Sequence, residues 1–408
     1  MTPYRFPRFH CPGNRLLWLI LVTVLLVTLS PVCVGAEKSD FDNLTRSGWK
    51  HFYSLEYDLA VKDFKSALEA RPDDAAAVNH VLDAVLYREL YKFNALDTRL
   101  YAKQGLIFSK QVPVDAKAKE QLKGLTERAL SLSDERLKAD PKDVQALYNR
   151  GITEGLRSTY LAIVEHSWFG ALRWALSARH DHEEVLKLRP DWADAKTVVG
   201  AHNFVVGSLT KPMKVMAGIA GIHGNKSKGL KMLAEAGAAG GETSTDARVA
   251  LALFLRREGR FDEALALVHA LNQEHPRNFL FALEEANLLT AAGKDAEAAN
   301  SARELLRQCR QGKYPNPHLE LAYFTLGQAL RAEGKLDQAL QSFESAASSS
   351  TSPPDDRQRA LLEAGEVSDL LAKRRQALVQ YRAAIALNGT SEEAQTARKY
   401  LEKPYTGN

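Results

Sequence analysis

Side chains able to do chemistry are sparse in this chain, and each group misses a requirement of the reaction it evokes. Arg179-His180-Asp181-His182-Glu183-Glu184 gathers metal-ligand types. On a helix, residues two apart point to different sides. Only His180 and Glu184 would share a face there, two ligands where three or four are needed. A solvated helix face is the expectation, with no metal site. Gly221-Ile-His-Gly-Asn-Lys-Ser-Lys-Gly229 has glycines and lysines, but its spacing is wrong for a phosphate-binding loop and no strand precedes it. It reads as a surface loop. Cys309 has no histidine nearby in sequence and reads as a small residue near a helix end. Neither Gly-x-Ser-x-Gly nor His-Glu-x-x-His occurs. No catalytic, cofactor-binding or metal-binding residue is assigned, and the expectation is a protein that is not an enzyme.

Charge offers a second kind of chemistry. Lys211, Lys214, Lys226, Lys228 and Lys231 occur with no acid between Asp194 and Glu235. Val215, Met216, Ile219 and Ile222 are interleaved with them. A short basic amphipathic helix of this kind suits an anionic membrane surface or an acidic partner. The plainer reading is an enlarged insertion whose lysines stand in water. Five such charges contribute only about 1 kcal/mol each even beside lipid.

The elements that would position any site are helices. Glu320 to Ala346 reads as two of them with one break. Leu321, Phe324 and Leu330 have helical spacing, as do Leu336, Ala339, Leu340, Phe343 and Ala346. Gly334 ends the first, since glycine takes the left-handed cap conformation without a Cβ clash. Gly327, Ala339 and Ala346 are small where two antiparallel helices touch. The pattern resembles a tetratricopeptide repeat, a helix-turn-helix unit of 34 residues. In that phase, position 8 is glycine at 48, 151, 200, 327 and 365. Glycine in a helix costs about 1 kcal/mol against alanine, so close helix contact is the expected cause. The register is regular from Thr245 onward and again over 41–72, with Gly259, Gly293 and Gly334 at position 15. Between 94 and 240 it is weak. Asn94 to Val114 reads as an irregular connection, and two enlarged units carry surplus at 161–174 and 203–225.

One hairpin cannot bury its apolar face alone, so the units must stack. The expected fold is all-α, an α-solenoid of helical hairpins forming a right-handed superhelix. The resemblance implies that the first helices of the repeats line a concave groove for a peptide or a partner's helix. Arg256, Arg257, Asn287, Gln328, Arg331, Arg359 and Glu366 are the groove candidates, the arginines suiting an acidic ligand. The middle region, with NFVVGSL at 203–209 and GLKMLAEA at 229–236, resembles the inclusion-body-clearance and tetratricopeptide-39 type of proteins, and also exported bacterial repeat proteins. That resemblance implies helical repeats and no activity.

Composition agrees with packed helices: 408 residues, 45% hydrophobic. The formal net charge is +4, and Arg5, Arg8 and Arg15 account for most of it. A nearly neutral remainder gives no support to nucleic-acid binding. Residues 1–36 read as an export signal: those arginines, an apolar run from Leu16 to Leu29, and Val34-Gly35-Ala36 as a cleavage site. The run is short for a membrane span of about 20 residues, although an uncleaved anchor over 16–36 is the alternative. Residues 37–240 form a divergent repeat region and 241–408 a regular array with a terminal cap. The expected role is an exported scaffold, periplasmic or secreted, for a protein or peptide partner. The alternatives are a membrane-peripheral protein using 211–231, or a carrier with a pocket between 160–174 and 203–225.

Overall fold

A computed structural model describes residues 33–102, 112–219 and 221–407, with side chains from Asp40. Most of the proposed leader therefore lies outside the described residues. Nineteen helices and no strand occur among those described. None is long and apolar enough to cross a membrane.

The chain begins with the hairpin α1 (Cys33–Tyr53) and α2 (Tyr57–Ala70). Here Gly48 lies under the ring of Phe64, which is completely buried. Next come α3 (Ala75–Lys92), a single turn α4 (Arg99–Ala102) and the long α5 (Ala116–Ala139). Asp115 caps α5 by accepting from the Ala118 amide at 2.8 Å. The unit opened by Gly151 is a pair of long helices, α6 (Val144–Ile163) and α7 (Trp168–Leu188). The surplus at 161–174 is thus helix ends and their turn. His182, and not His180, faces inward: its ring covers Gly151, and its Nδ1 lies 2.7 Å from the Ala178 carbonyl oxygen.

The stretch read as one basic insertion is three things. It holds the end of α8 (Ala195–Gly207), a short exposed α9 (Lys211–Ile219), and α10 (Lys226–Ala238). The last is a repeat helix in its own right. Gly200 and Gly229 allow α8 and α10 to touch by backbone: a Cβ on Gly229 would stand 2.6 Å from the Gly200 oxygen. The regular array follows as α11 (Ser244–Arg257), α12 (Phe261–Glu274), α13 (Phe279–Ala291), α14 (Asp295–Arg310), α15 (Leu319–Ala332), α16 (Leu336–Ser348), α17 (Pro354–Leu370) and α18 (Arg374–Leu387), closed by α19 (Glu392–Glu402). Each helix packs on the next, and α15 also packs on α13 and α17. This is an all-α solenoid of stacked hairpins. Phe343 seals Gly327 and Tyr381 seals Gly365, both rings fully buried.

The stack is not open. Its first hairpin docks on the regular array about two hundred residues further on. The Tyr53 hydroxyl donates to Asp246 at 3.2 Å, and Asn278 donates to the Tyr53 carbonyl at 2.8 Å. Arg277 pairs with Glu56 at 2.6 Å. Nearest-neighbour contact, the expectation for a linear repeat array, describes only part of the packing.

Candidate functional site

The inner face of α11, α13, α15 and α17 is the expected groove, and the chain itself occupies it. After α3 ends, residues 94–101 run across these helices. Asn94 takes a positive φ of 56°, which asparagine tolerates better than most residues. Its side-chain amide donates to Glu320 at 3.0 Å and to Asp356 at 2.9 Å. Thr98 donates to Glu284, which also receives Arg256 at 3.0 Å. Arg99 grips Asp97 through two nitrogens, at 3.0 and 2.8 Å, and reaches Thr325 at 3.1 Å. The guanidiniums of Arg99 and Arg359 both lie over the ring of Phe324, at 5.1 and 4.7 Å. Tyr91 anchors the start of the segment by donating to the Asn316 carbonyl at 3.0 Å.

The electrostatics fit a built seat. Burial works to raise the Asp97 carboxyl, but the guanidinium of Arg99 outweighs it and holds the pKa below the ordinary value. Burial likewise opposes Glu320, yet hydrogen bonds with His318 and Asn94 bring it down to about 2. Glu284 is raised by burial despite Arg256.

Five of the seven groove candidates have polar partners in the same chain, which corrects the expectation of a free surface. Arg256 belongs to the Glu284–Thr98 cluster. Asn287 accepts from Thr325 at 2.8 Å. Arg359 pairs with Asp356 at 2.9 Å. Arg331 meets Glu363, Glu366 at 2.9 Å, and the hydroxyl of Tyr405 at 2.8 Å, so the tail after α19 covers that end. Arg257 points elsewhere, toward the Phe204 ring at 5.9 Å. Gln328 is half-buried and makes no side-chain hydrogen bond among the described residues. Glu284, Thr325 and Glu363, all at position 6 of their repeats, were not legible as groove residues. Their signal was a polar side chain recurring at one phase of an otherwise apolar helix.

The five lysines also separate. Lys226 pairs with Glu258 at 2.6 Å, and Lys231 lies 3.9 Å from Glu235. Lys211, Lys214 and Lys228 are exposed without an ion pair among the described residues. On α9 no side chain is buried, and Val215, Met216 and Ile219 face solvent.

A cavity of about 350 Å³ lies under the seated segment, between α1–α3 and α11–α13. It is not the pocket expected between 160–174 and 203–225. Only Ile163 of those stretches reaches it, and Phe169 projects into water, 92% exposed.

No family model matches the chain, and no curated protein does. Among solved structures, the C-terminal part of a TPR repeat-containing protein from Cytophaga hutchinsonii matches with a TM-score of 0.45 and 12% identity, over 67% of this chain and 94% of that one. The chain is similar in architecture to tetratricopeptide repeat proteins. Yeast Tom70 matches with a TM-score of 0.43 and 13% identity, over 90% of this chain and 96% of that one. The human IFIT1 dimer with m7Gppp-AAAA gives 0.45 and 15%, over 88% and 82%.

Proposed function

We propose that this chain is a non-enzymatic interaction scaffold, exported through its N-terminal leader, whose concave face recognises a peptide segment of a partner protein. One observation carries the reading: that face already holds a segment of successive turns, Asn94 to Tyr101, through side-chain hydrogen bonds with four stacked repeats. A partner segment would present the same chemistry: an amide to Glu320 and Asp356, a hydroxyl to Glu284, and a guanidinium over Phe324. Export rests on the arginines and apolar run before Ala36.

The resident segment competes as a tethered ligand. A short tether gives an effective concentration on the order of millimolar, so a trans peptide with a Kd of about 10 μM would be weakened roughly a hundredfold. The test uses a labelled peptide spanning Phe93 to Ala102. It should bind the triple variant Asn94→Ala, Asp97→Ala, Arg99→Ala, whose own segment is released, and bind the parent far more weakly. Failure to bind either protein would remove the groove reading.

A second reading is favoured by α9, whose apolar side chains have no cover and stand beside Lys211 and Lys214. In this reading α9 lies on an anionic lipid surface. Flotation with vesicles of phosphatidylglycerol and phosphatidylcholine should recover the parent, and Lys211→Glu with Lys214→Glu should not float. Equal flotation of the two proteins would end it.

A further inference from the structure

The cavity beneath residues 94–101 carries an inference separate from the groove. Its walls include the rings of Phe52, Tyr53, Tyr57, Tyr87, Tyr101 and Phe281. Its volume, about 350 Å³, is at the lower end of the range for small-molecule pockets. Three carboxylates line it: Asp97, Glu284 and Asp246. Two of them are already answered, Asp97 by Arg99 and Glu284 by Arg256. Asp246 is not. Its single hydrogen-bond partner is the Tyr53 hydroxyl, and no cationic side chain pairs with it among the described residues. Asp83, half-buried and outside the cavity lining, adds to the negative charge near Asp246 and has no ion pair among the described residues. Elsewhere the buried acids Glu89, Asp181 and Asp369 each meet an arginine or a lysine. Glu154, on another helix, is also buried without an ion pair and meets only Ser177, but Asp246 is the unpaired acid that lines the ring-walled void.

We propose that this cavity binds an organic cation with an apolar body, an amine or quaternary ammonium, seated among the aromatic rings with its charge toward Asp246. Ring faces attract a desolvated cation, and Trp, Tyr and Phe cages are the recurring sites for such groups. An anion would meet Asp246 directly. A neutral apolar molecule would fill the void but leave that acid unanswered. The nearby Glu242 is engaged by His80 at 2.5 Å, and Asp194 by the Thr243 amide at 3.0 Å, so neither relieves Asp246. Burial and neighbouring acids hold Asp246 at about 7, so a bound cation would also draw out its proton.

The experiment is calorimetric titration of the purified full chain with three probes. They are benzyltrimethylammonium, its uncharged carbon isostere neopentylbenzene, and the anion 4-phenylbutyrate. The cation should bind at least about tenfold more tightly than either other probe, the scale of one desolvated cation–ring and charge contact. Asp246→Asn should weaken the cation about tenfold and leave the isostere unchanged. Ala250→Phe, on the cavity wall of α11, should abolish binding of both. Absence of cation binding overturns the proposal, as does equal affinity for the isostere or indifference to Asp246→Asn. If Ala250→Phe does not fold, the Asp246→Asn comparison decides alone. The cavity shares Asp97, Tyr101 and Glu284 with the seated segment, but the cation titration uses the parent chain with that segment in place, so failure of the trans peptide to bind leaves it standing.

Discussion

A Cβ on Gly48 would stand 2.4 Å from Phe64, one on Gly327 2.6 Å from Phe343, and one on Gly365 2.4 Å from Tyr381. These contacts explain why the recurrence of glycine was readable: a residue that costs about 1 kcal/mol in a helix persists where a ring needs the space. Position 15 shows the same logic with an exception. Gly259, Gly293 and Gly334 have φ of 73°, 70° and 75°, and the equivalent Ala372 has 57°. A left-handed alanine costs on the order of 1–2 kcal/mol, partly offset by the extra chain entropy of glycine. Ala372→Gly should therefore stabilise the protein by about 1 kcal/mol in urea denaturation. Leu55 has the same strain, with φ of 61°, yet its side chain is buried and lines the cavity, so Leu55→Gly should destabilise instead. Asp246 gives a prediction in pH. Its folded pKa, about 7, lies above its ordinary 3.8, chiefly through burial. The folded state keeps a proton that the unfolded chain has lost between those values. Its contribution to stability is then present below about pH 4 and is lost as pH rises through 7. Asp246→Asn should gain on the parent across that window by about 4 kcal/mol, measured by denaturation at several pH values. A constant difference would mean that Asp246 is not strained by its ionisation. Asp83 and Glu242 stand nearby and set the residual slope.

Among elements, the helices were legible and the occupant of the groove was not. Periodicity marks a helix within its own few turns, and the caps Asp115, Asp143 and Asn278 sit where the chain changes direction. Residues 94–101 have no period. Asn94, Asp97, Thr98 and Arg99 look like any polar connection until Glu320, Glu284 and Phe324 are beside them, and those lie about two hundred residues away in sequence. The basic stretch failed for a related reason: Lys226 and Lys231 belong to a repeat helix, while Lys211 and Lys214 belong to a separate exposed one, and charge counting merges them. The segment's hold on the groove is testable at Asn94. Its amide sits between Glu320 and Asp356, and Asn94→Ala leaves those acids without it. The variant should lose about 1–3 kcal/mol, the penalty for buried acceptors deprived of a donor. Glu320 should then titrate above its present value of about 2, because burial would act with less opposition. Carboxyl chemical shifts against pH would show it. An unchanged Glu320 titration would mean that His318 alone holds the acid.

At the scale of the whole molecule, stacking alone predicts ends that fray. In a linear array each repeat is supported only by its neighbours, so terminal units open first and independently. Here the first hairpin is fastened to α11 and α13 by Tyr53, Asn278 and the Arg277–Glu56 pair, and α3 is fastened near α15 through Tyr91. None of these contacts has a local sequence signal, which is why the sequence led to the stacked superhelix and not to the contacts that close it. The closure has a thermodynamic consequence. Amides of the α1–α2 hairpin and of α13 should exchange with deuterium at one shared opening free energy, because neither unit can open without breaking the contacts that Tyr53 and Glu56 make with Asn278 and Arg277. Arg277→Ala combined with Asn278→Ala should separate the two. Protection in α2 should fall, while α17 and α18, held by Tyr381 and the Arg374–Asp369 pair at 3.0 Å, should keep theirs. If α2 already exchanges well before α13 in the parent protein, the contacts touch without coupling, and the chain behaves as a line of repeats that happens to meet itself.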